Sequence, residues 1–146
     1  MKRKYDIIIV SGGFDPVHKG HVRMFESARE MAFRLVCGAN SDKWLVNKKG
    51  KNFMNFDERS EILKAFEHVD DVVSFNDDDG TAVDLLRNIR ALYPKETYTM
   101  AFANGGDRTK ENTPENEFCK KNDIEMVWGA GGEKVQSSSD LIKNIE

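Results

Sequence analysis

The fold is decided by residues 6–21, which read DIIIVSGGFDPVHKGH. The run from Ile7 to Val10 is continuously apolar, which is typical of a parallel strand covered on both faces. Two glycines follow, and apolar residues at helical spacing begin after His18. A glycine-rich loop between a buried strand and a helix predicts an anion site. Glycines let the backbone approach the anion, and the helix N-terminus presents N–H groups to it.

Outward from this loop, short β-branched runs alternate with longer helical patterns. We expect strands at residues 6–10, 33–38, 71–75, 98–102 and 124–128. Helices are expected at residues 18–32, 42–46, 55–68 and 81–93, with two more beginning at Thr113-Pro114 and at Ser137. This alternation predicts an α/β fold, a doubly wound five-stranded parallel sheet, in one domain over residues 1–146.

Several local features sharpen these boundaries. Capping boxes are expected at Asn55 with Glu58 and at Thr81 with Asp84. The helix after Asn55 should bury Ile62, Leu63 and Phe66, and a basic loop should follow residue 46. Residues 104–107 should form a tight turn, and residues 77–79 a solvated acidic loop, with cation binding as the alternative.

Composition and charge exclude several classes of protein. A net charge of -3 over 146 residues does not provide the basic face that nucleic-acid binding requires. Cys37 and Cys119 match no metal spacing and are expected to be reduced. No apolar run approaches the roughly 18 residues of a membrane span, and the run after the basic start is too short for a signal peptide. We therefore expect a soluble, cytoplasmic protein.

The chemistry of the first loop is specific. Phe14 stands where a dinucleotide-binding loop has its second glycine, and no Gly-Lys-Ser/Thr of a Walker loop occurs. His18 and His21 share one face of the first helical turn, where two imidazoles can donate to phosphate oxygens, and Gly20 should leave room for a substrate. The alternatives are two structural histidines that cap the helix, or a zinc site that lacks a third ligand.

Residues 13–21, with the pattern G-F-D-P-V-H-x-G-H, resemble the signature of the cytidylyltransferase-like nucleotidyltransferase superfamily. The resemblance implies a Rossmann-like fold and transfer of a nucleotidyl group from CTP or ATP to a phosphate, usually with Mg²⁺. The chain is similar to glycerol-3-phosphate cytidylyltransferases and to the adenylyltransferases of heptose 1-phosphate. An arginine typical of the former, before the final serines, is missing, and Lys134 stands nearby. This departure favours the heptose 1-phosphate group.

The resemblance also implies roles for particular residues. The motif histidines stabilise the transition state, the loop aspartate orders the site, and lysines after the second strand contact both phosphates. Together, loop and resemblance predict catalytic residues His18, His21, Lys48 and Lys49; nucleotide-binding residues Gly12, Gly13, Phe14, Asp15, Gly20, Asp107, Ser137, Ser138 and Ser139; and substrate-binding residues Lys48, Arg59 and Arg108. No protein metal ligand is predicted, and Mg²⁺ would be held mainly by phosphates.

Simpler interpretations stay open for the secondary residues. The lysines could form a solvated surface loop, Arg59 could pair with Glu58 or Glu61 on a wet helix face, and Ser137 could simply cap the last helix. The expected partners are a nucleoside triphosphate and a phosphorylated small molecule, in a homodimer, without nucleic acid or membrane. The alternative functions are a non-catalytic nucleotide-binding regulatory module and a dehydrogenase domain.

Overall fold

The structure is a computed structural model, and it describes residues 3–105 and 113–130. Strands and helices alternate along these residues: β1 Tyr5–Gly12, α1 Lys19–Met31, β2 Ala32–Ala39, α2 Asp42–Lys49, α3 Phe56–Lys64, β3 Asp71–Val73, α4 Val83–Leu92, β4 Met100–Gly105, α5 Asn116–Lys121 and β5 Ile124–Ala130. The five predicted strands are all present, with shifted ends. The sixth predicted helix, beginning at Ser137, lies outside the described residues.

The strands form one parallel sheet in the order β3-β2-β1-β4-β5. Strand order reverses between β1 and β4, where Ile9 pairs with Phe102. In open sheets of this kind, ligands bind beyond the carboxyl ends of the strands at the reversal. The first loop leaves β1 at that edge, so the topology places the predicted anion site where such folds bind ligands. The predicted doubly wound α/β fold is confirmed.

Two apolar layers cover the sheet. On one face, Phe25 and Ala28 of α1 and Leu63 of α3 pack beneath alternate residues of β1 and β2. On the other face, α4 and α5 bury Leu86 and Cys119 against the remaining strand positions. Both faces of the central strand are covered, and this explains why its sequence is a continuous apolar run. The prediction made from that run is confirmed.

The boundaries of two helices differ from expectation. α2 continues three residues past Val46 and ends where Gly50, at φ +88°, donates its N–H to the Val46 carbonyl at 2.7 Å. Lys48 and Lys49 therefore lie in the last turn of a helix and not in a basic loop. α3 ends at Lys64, and the predicted burial of Ile62 is wrong, because its side chain is 40% exposed.

Three local predictions near the second half of the chain are also wrong. Thr81 and Asp84 form no capping box, because the Asp84 carboxylate accepts the N–H of Asn76 at 2.8 Å instead. Pro114 precedes α5 in a turn closed by the Asn116 N–H and the Thr113 carbonyl, 3.2 Å apart. Of the predicted turn at 104–107, residues 104 and 105 belong to β4, and residues 106 and 107 lie outside the described residues. At Asp84 a contact with another segment, and at residues 104 and 105 the pairing of the sheet, overrides the local signal.

Within the part of the chain that the structure describes, no helix has the length and apolar character needed to cross a membrane.

Candidate active site

The first loop, residues 12–18, is held tightly against its neighbours. Phe14 adopts φ +53°, a left-handed conformation that side-chain-bearing residues seldom adopt. A Cβ on Gly12 would lie 3.1 Å from Phe14 Cζ, and a Cβ on Gly13 would lie 2.8 Å from Leu45 Cδ2 of α2. A side chain at either position would therefore force the Phe14 ring or the Leu45 side chain to move. Phe14 itself is 3% exposed, and its ring meets the His21 ring edge-on at 4.9 Å.

His18 and His21 form a reciprocal cap at the start of α1. His18 Nδ1 accepts a hydrogen bond from the Gly20 N–H, and His21 Nδ1 accepts one from the His18 N–H, both at 3.1 Å. The two rings stack with centroids 3.9 Å apart. Because each Nδ1 is an acceptor, the proton of each neutral ring is on Nε2. Capping the helix and presenting an Nε2–H donor are thus compatible in one arrangement.

Glycine is needed at position 20 for a different reason from the one that the sequence suggested. A Cβ at this position would lie 2.9 Å from His18 Cε1 and 3.1 Å from His18 Nδ1. The space that the missing side chain leaves is occupied by the His18 ring. The glycine of the motif therefore allows the capping histidine to fold over the helix end.

The electrostatic surroundings keep His21 neutral. Burial, together with smaller electrostatic effects of His18 and Lys49, lowers the pKa of His21 from its ordinary value of 6.5 to about 3. A neutral imidazole with its proton on Nε2 donates one hydrogen bond without carrying charge. His21 is thus a hydrogen-bond donor throughout the physiological pH range, and not a proton-transferring acid.

Asp15 ties the first loop to the segment that follows α2. It is fully buried, and its two carboxylate oxygens accept the N–H groups of Phe53 and Met54, each at 2.6 Å. Lys49 Nζ donates to the Asp15 carbonyl at 3.3 Å. Burial lowers the pKa of Lys49, and Asp15 opposes that effect. Asp15 therefore orders the site through protein backbone, which places Lys49 against the first loop.

Arg59 is a buried organiser of the same region. Its side chain has no exposed surface, and it donates to the carbonyls of Gly13 and Asn40 at 2.8 Å and to the Asp42 carboxylate at 2.7 Å. The interpretation of Arg59 as a solvent-exposed residue that pairs with Glu58 or Glu61 is wrong. Because the guanidinium is enclosed, the predicted direct contact with substrate is replaced by support of the loop carbonyls.

Lys48 lies on the outer side of α2, beside an aromatic residue. Its Nζ is 4.6 Å from the centroid of the Trp44 ring, and the side chain is exposed. Lys51 is also exposed, beyond the end of the helix. The structure thus separates the lysines: Lys49 turns to the first loop, while Lys48 turns to solvent beside Trp44.

The acidic segment after β3 contains a buried carboxylate that sequence reasoning missed. Asp77 is 5% exposed and accepts the Asn40 side-chain amide at 3.0 Å, the Ser41 N–H at 2.8 Å and the Ser41 hydroxyl at 2.7 Å. The expectation of a uniformly solvated loop is therefore wrong at Asp77. Only its neighbours Asp78 and Asp79 are exposed. The sequence did contain one indication of this contact. Ser41 is a helix N-cap residue, and its side chain can bind a second polar group.

Other predicted residues lie outside the described part of the chain. They are Asp107, Arg108, Lys134, Ser137, Ser138 and Ser139. The residues that the structure does bring together are the two histidines, the loop glycines, Asp15 and Lys49.

Comparison with known proteins places this arrangement in a family. The cytidylyltransferase-like family profile matches residues 9–144. A bifunctional protein HldE from Bradyrhizobium diazoefficiens is 38% identical over 124 residues, which cover 84% of this chain and 22% of that protein. The match to a Salmonella arizonae protein of the same name covers 28% of its length. The chain thus spans only about a quarter of these curated relatives.

Solved structures show the same fold at low sequence identity. A putative nicotinate-nucleotide adenylyltransferase from Vibrio parahaemolyticus has a TM-score of 0.65 and 18% identity, covering 98% of this chain and 86% of that one. These findings confirm the Rossmann-like fold and the resemblance read from the first loop. Since the family match contains the loop, both histidines and the α2 lysines, the chain belongs to the cytidylyltransferase-like family of nucleotidyltransferases.

Proposed function

We propose that this protein transfers a nucleotidyl group, AMP or CMP, from ATP or CTP to the phosphate of a small molecule and releases pyrophosphate. The acceptor is a phosphorylated sugar or polyol, of the heptose 1-phosphate or glycerol 3-phosphate type. Family membership supports the reaction class, and the resemblance of the sequence to these two groups supports the acceptor type.

The observation that carries the proposal is the orientation of the two imidazoles. Both Nδ1 atoms are engaged by backbone N–H groups, so both Nε2–H groups act as donors on one face of the α1 N-terminus. Donors fixed in advance stabilise charge that develops on a phosphoryl oxygen without reorganising during the reaction. The positive end of the α1 dipole adds to this preference for an anion.

In the proposed reaction, an oxygen of the acceptor phosphate attacks the α-phosphorus of the triphosphate. A new phosphorus–oxygen bond forms, the bond from the α-phosphorus to the bridging oxygen breaks, and pyrophosphate leaves with its electrons. His18 and His21 donate to oxygens of the α-phosphate and offset the charge of the transition state. No covalent intermediate with the protein is required.

Lys48 and Lys49 have a different role in this proposal. Two polyanionic substrates repel each other, and cations between them lower the cost of bringing them together. Lys49 contacts the first loop through the Asp15 carbonyl, which suits a contact with the triphosphate. Lys48, on the adjacent outer row of α2, suits the phosphate of the acceptor.

In this proposal the divalent cation binds together with the triphosphate. Among residues 3–105 and 113–130, no three His, Cys, Asp or Glu side chains cluster as metal ligands. Mg²⁺ commonly binds through substrate phosphates and water with few protein ligands, so in this proposal the cation is held mainly by the nucleotide. Mg²⁺ would neutralise phosphate charge, and the residues of the chain would orient the two substrates.

A pyrophosphate-release assay tests the proposal. ATP and CTP are supplied separately with Mg²⁺, each against a panel of phosphorylated sugars and polyols. We expect release with one triphosphate and one class of acceptor. Stabilisation of the fold by a triphosphate without any release would instead favour the binding-only module, and the absence of both effects would refute the nucleotide site.

Three further predictions accompany the proposal. They are a single domain over residues 1–146, a cytoplasmic location and a homodimer. Sedimentation or light scattering of the purified chain tests the last of these.

A further inference from the structure

Asp77 is a buried carboxylate that takes no part in the reaction proposed above. It is 5% exposed, and its oxygens accept the side-chain N–H of Asn40 at 3.0 Å, the Ser41 N–H at 2.8 Å and the Ser41 hydroxyl at 2.7 Å. All three partners donate, so the position suits a group that only accepts. Burial of a charge is costly unless it is hydrogen-bonded in this way. Asp77 therefore fixes the two residues that form the corner between β2 and α2.

Asn40 joins this corner to the first loop. Its backbone N–H donates to the Gly12 carbonyl at 2.9 Å. One nitrogen of the buried Arg59 guanidinium donates to the carbonyls of both Asn40 and Gly13, each at 2.8 Å. The corner and the start of the first loop are thus one hydrogen-bonded unit, and the Asn40 side chain attaches Asp77 to it.

Ser41 joins the same corner to α2. Its hydroxyl donates to Asp77 and accepts the Trp44 N–H at 3.0 Å, which makes it the N-cap of the helix. The last residue of α2 is Lys49, whose Nζ donates to the Asp15 carbonyl at 3.3 Å. The helix therefore leads from the Asp77 contact at its start to a first-loop contact at its end.

The length of α2 makes the place of Lys49 sensitive to how the helix start is held. α2 has 8 residues and is about 12 Å long, so a tilt of about 5° at the Ser41 end moves the last turn by about 1 Å. A displacement of that size in a group that orients a substrate can lower a rate by as much as about a hundredfold.

We propose that Asp77 is a positioning residue for nucleotidyl transfer: through Ser41 it sets the orientation of α2, and so the place of the Lys49 ammonium beside the first loop. In this role Asp77 touches neither substrate. The inference rests on the proposed function, in which Lys49 binds the triphosphate.

Two pairs of variants test this role. Asp77→Asn keeps the shape of the side chain, but its NH₂ group faces the Ser41 hydroxyl and cannot accept the hydroxyl proton. Ser41→Ala removes that hydroxyl, and with it the cap on the Trp44 N–H, whereas Ser41→Thr keeps both. Asp57→Asn, an exposed carboxylate on α3, is the matched control for Asp77→Asn.

A double-mutant cycle with Lys49→Ala separates positioning from stability. Alone, Asp77→Asn and Ser41→Ala should each lower kcat/KM for the triphosphate about tenfold, because Lys49 is displaced. In the Lys49→Ala background each should change kcat/KM by less than about twofold, because the group that Asp77 positions is already absent. Assays well below the melting temperature of each variant keep the folded fraction constant. The same factor in both backgrounds, or no fall in the first, would overturn the assignment.

An NMR titration of the Lys49 side chain separates this inference from the proposed function, because it needs no catalysis. Burial lowers the pKa of Lys49, so release of its side chain from the first loop should raise that pKa towards the ordinary value of 10.5. We expect this rise in Asp77→Asn and Ser41→Ala and not in Asp57→Asn or Ser41→Thr.

Such a rise supports the role of Asp77 in placing Lys49 even if no pyrophosphate is ever released. A Lys49 pKa that is the same in Asp77→Asn and in wild type refutes that role even where nucleotidyl transfer is found. If Asp77→Asn does not fold, the comparison of Ser41→Ala with Ser41→Thr decides by the same two outcomes.

Discussion

The imidazole of His18 closes the N-terminus of α1 by accepting the Gly20 N–H at 3.1 Å, and the same backbone contact turns its Nε2–H away from the helix. One hydrogen bond thus serves stability and chemistry together. The two contributions can be separated, because other side chains cap helices without providing an imidazole donor.

His18→Asn should separate the cap from the catalytic donor. Asparagine is among the best N-cap residues, so the helix should keep its cap and the melting temperature should change by no more than a few degrees. The Nε2–H donor is lost, and kcat for pyrophosphate release should fall about a hundredfold or more. The third histidine, His68, provides the control His68→Asn, whose turnover should match wild type. A fully active His18→Asn enzyme would refute the mechanism.

His21→Gln is designed on the same logic. Glutamine at the third helical position is the usual second half of a capping box, so it can accept the His18 N–H in place of Nδ1. The imidazole donor is lost, and we expect a comparable fall in kcat with the fold retained. Circular dichroism monitors the helix, and single-turnover assays report the chemical step. A fall in melting temperature with unchanged turnover would assign His21 a structural role alone.

Stability should depend on pH through His21. Its folded pKa, about 3, lies below the ordinary value of 6.5, so the folded state favours the neutral ring. Below pH 6.5 the unfolded chain binds a proton that the folded chain does not. The free energy of unfolding should therefore fall as pH drops from 6.5 towards 3, by at most about 1.4 kcal/mol per pH unit. Urea titrations of wild type and His21→Gln should differ in this slope, and parallel slopes would contradict a partly buried, neutral ring.

Gly20→Ala should impair activity without unfolding the protein. Alanine favours the helix over glycine by up to about 1 kcal/mol, but its Cβ would lie 2.9 Å from His18 Cε1. The ring must move, and we expect kcat to fall at least about tenfold because the Nε2–H donor is displaced. Lys19→Ala, in the same turn and exposed, is the control. Undiminished turnover in Gly20→Ala would show that the ring position is not critical.

Arg59→Ala should destabilise the fold. The substitution leaves the carbonyls of Gly13 and Asn40 without their buried donor, so we expect a loss of about 3 kcal/mol or more in the free energy of unfolding. Urea denaturation measures this directly. Arg87→Ala, on an exposed helix face, should cost far less. A change below about 0.5 kcal/mol in Arg59→Ala would indicate a surface residue and restore the substrate-binding interpretation.

Much of the fold was predictable from short-range patterns. The continuous apolar run of β1, the glycine pair and the histidine spacing lie within sixteen consecutive residues, and each expresses a local requirement of a parallel strand or a helix start. The element ends were less predictable. Thr81 and Asp84 have the spacing of a capping box, yet Asp84 binds Asn76, a partner that only the folded chain brings within reach.

The sequence by itself determined the strand–loop–helix unit, the alternation of elements and the family, because these depend on neighbours along the chain. Tertiary structure alone decided that Arg59 is buried, that Asp15 accepts from Phe53 and Met54, and that Asp77 joins Asn40 and Ser41. These contacts join residues 17 to 46 positions apart in sequence. A charged residue seldom indicates its own burial, since the free energy of burying a charge depends on partners that the fold alone brings together.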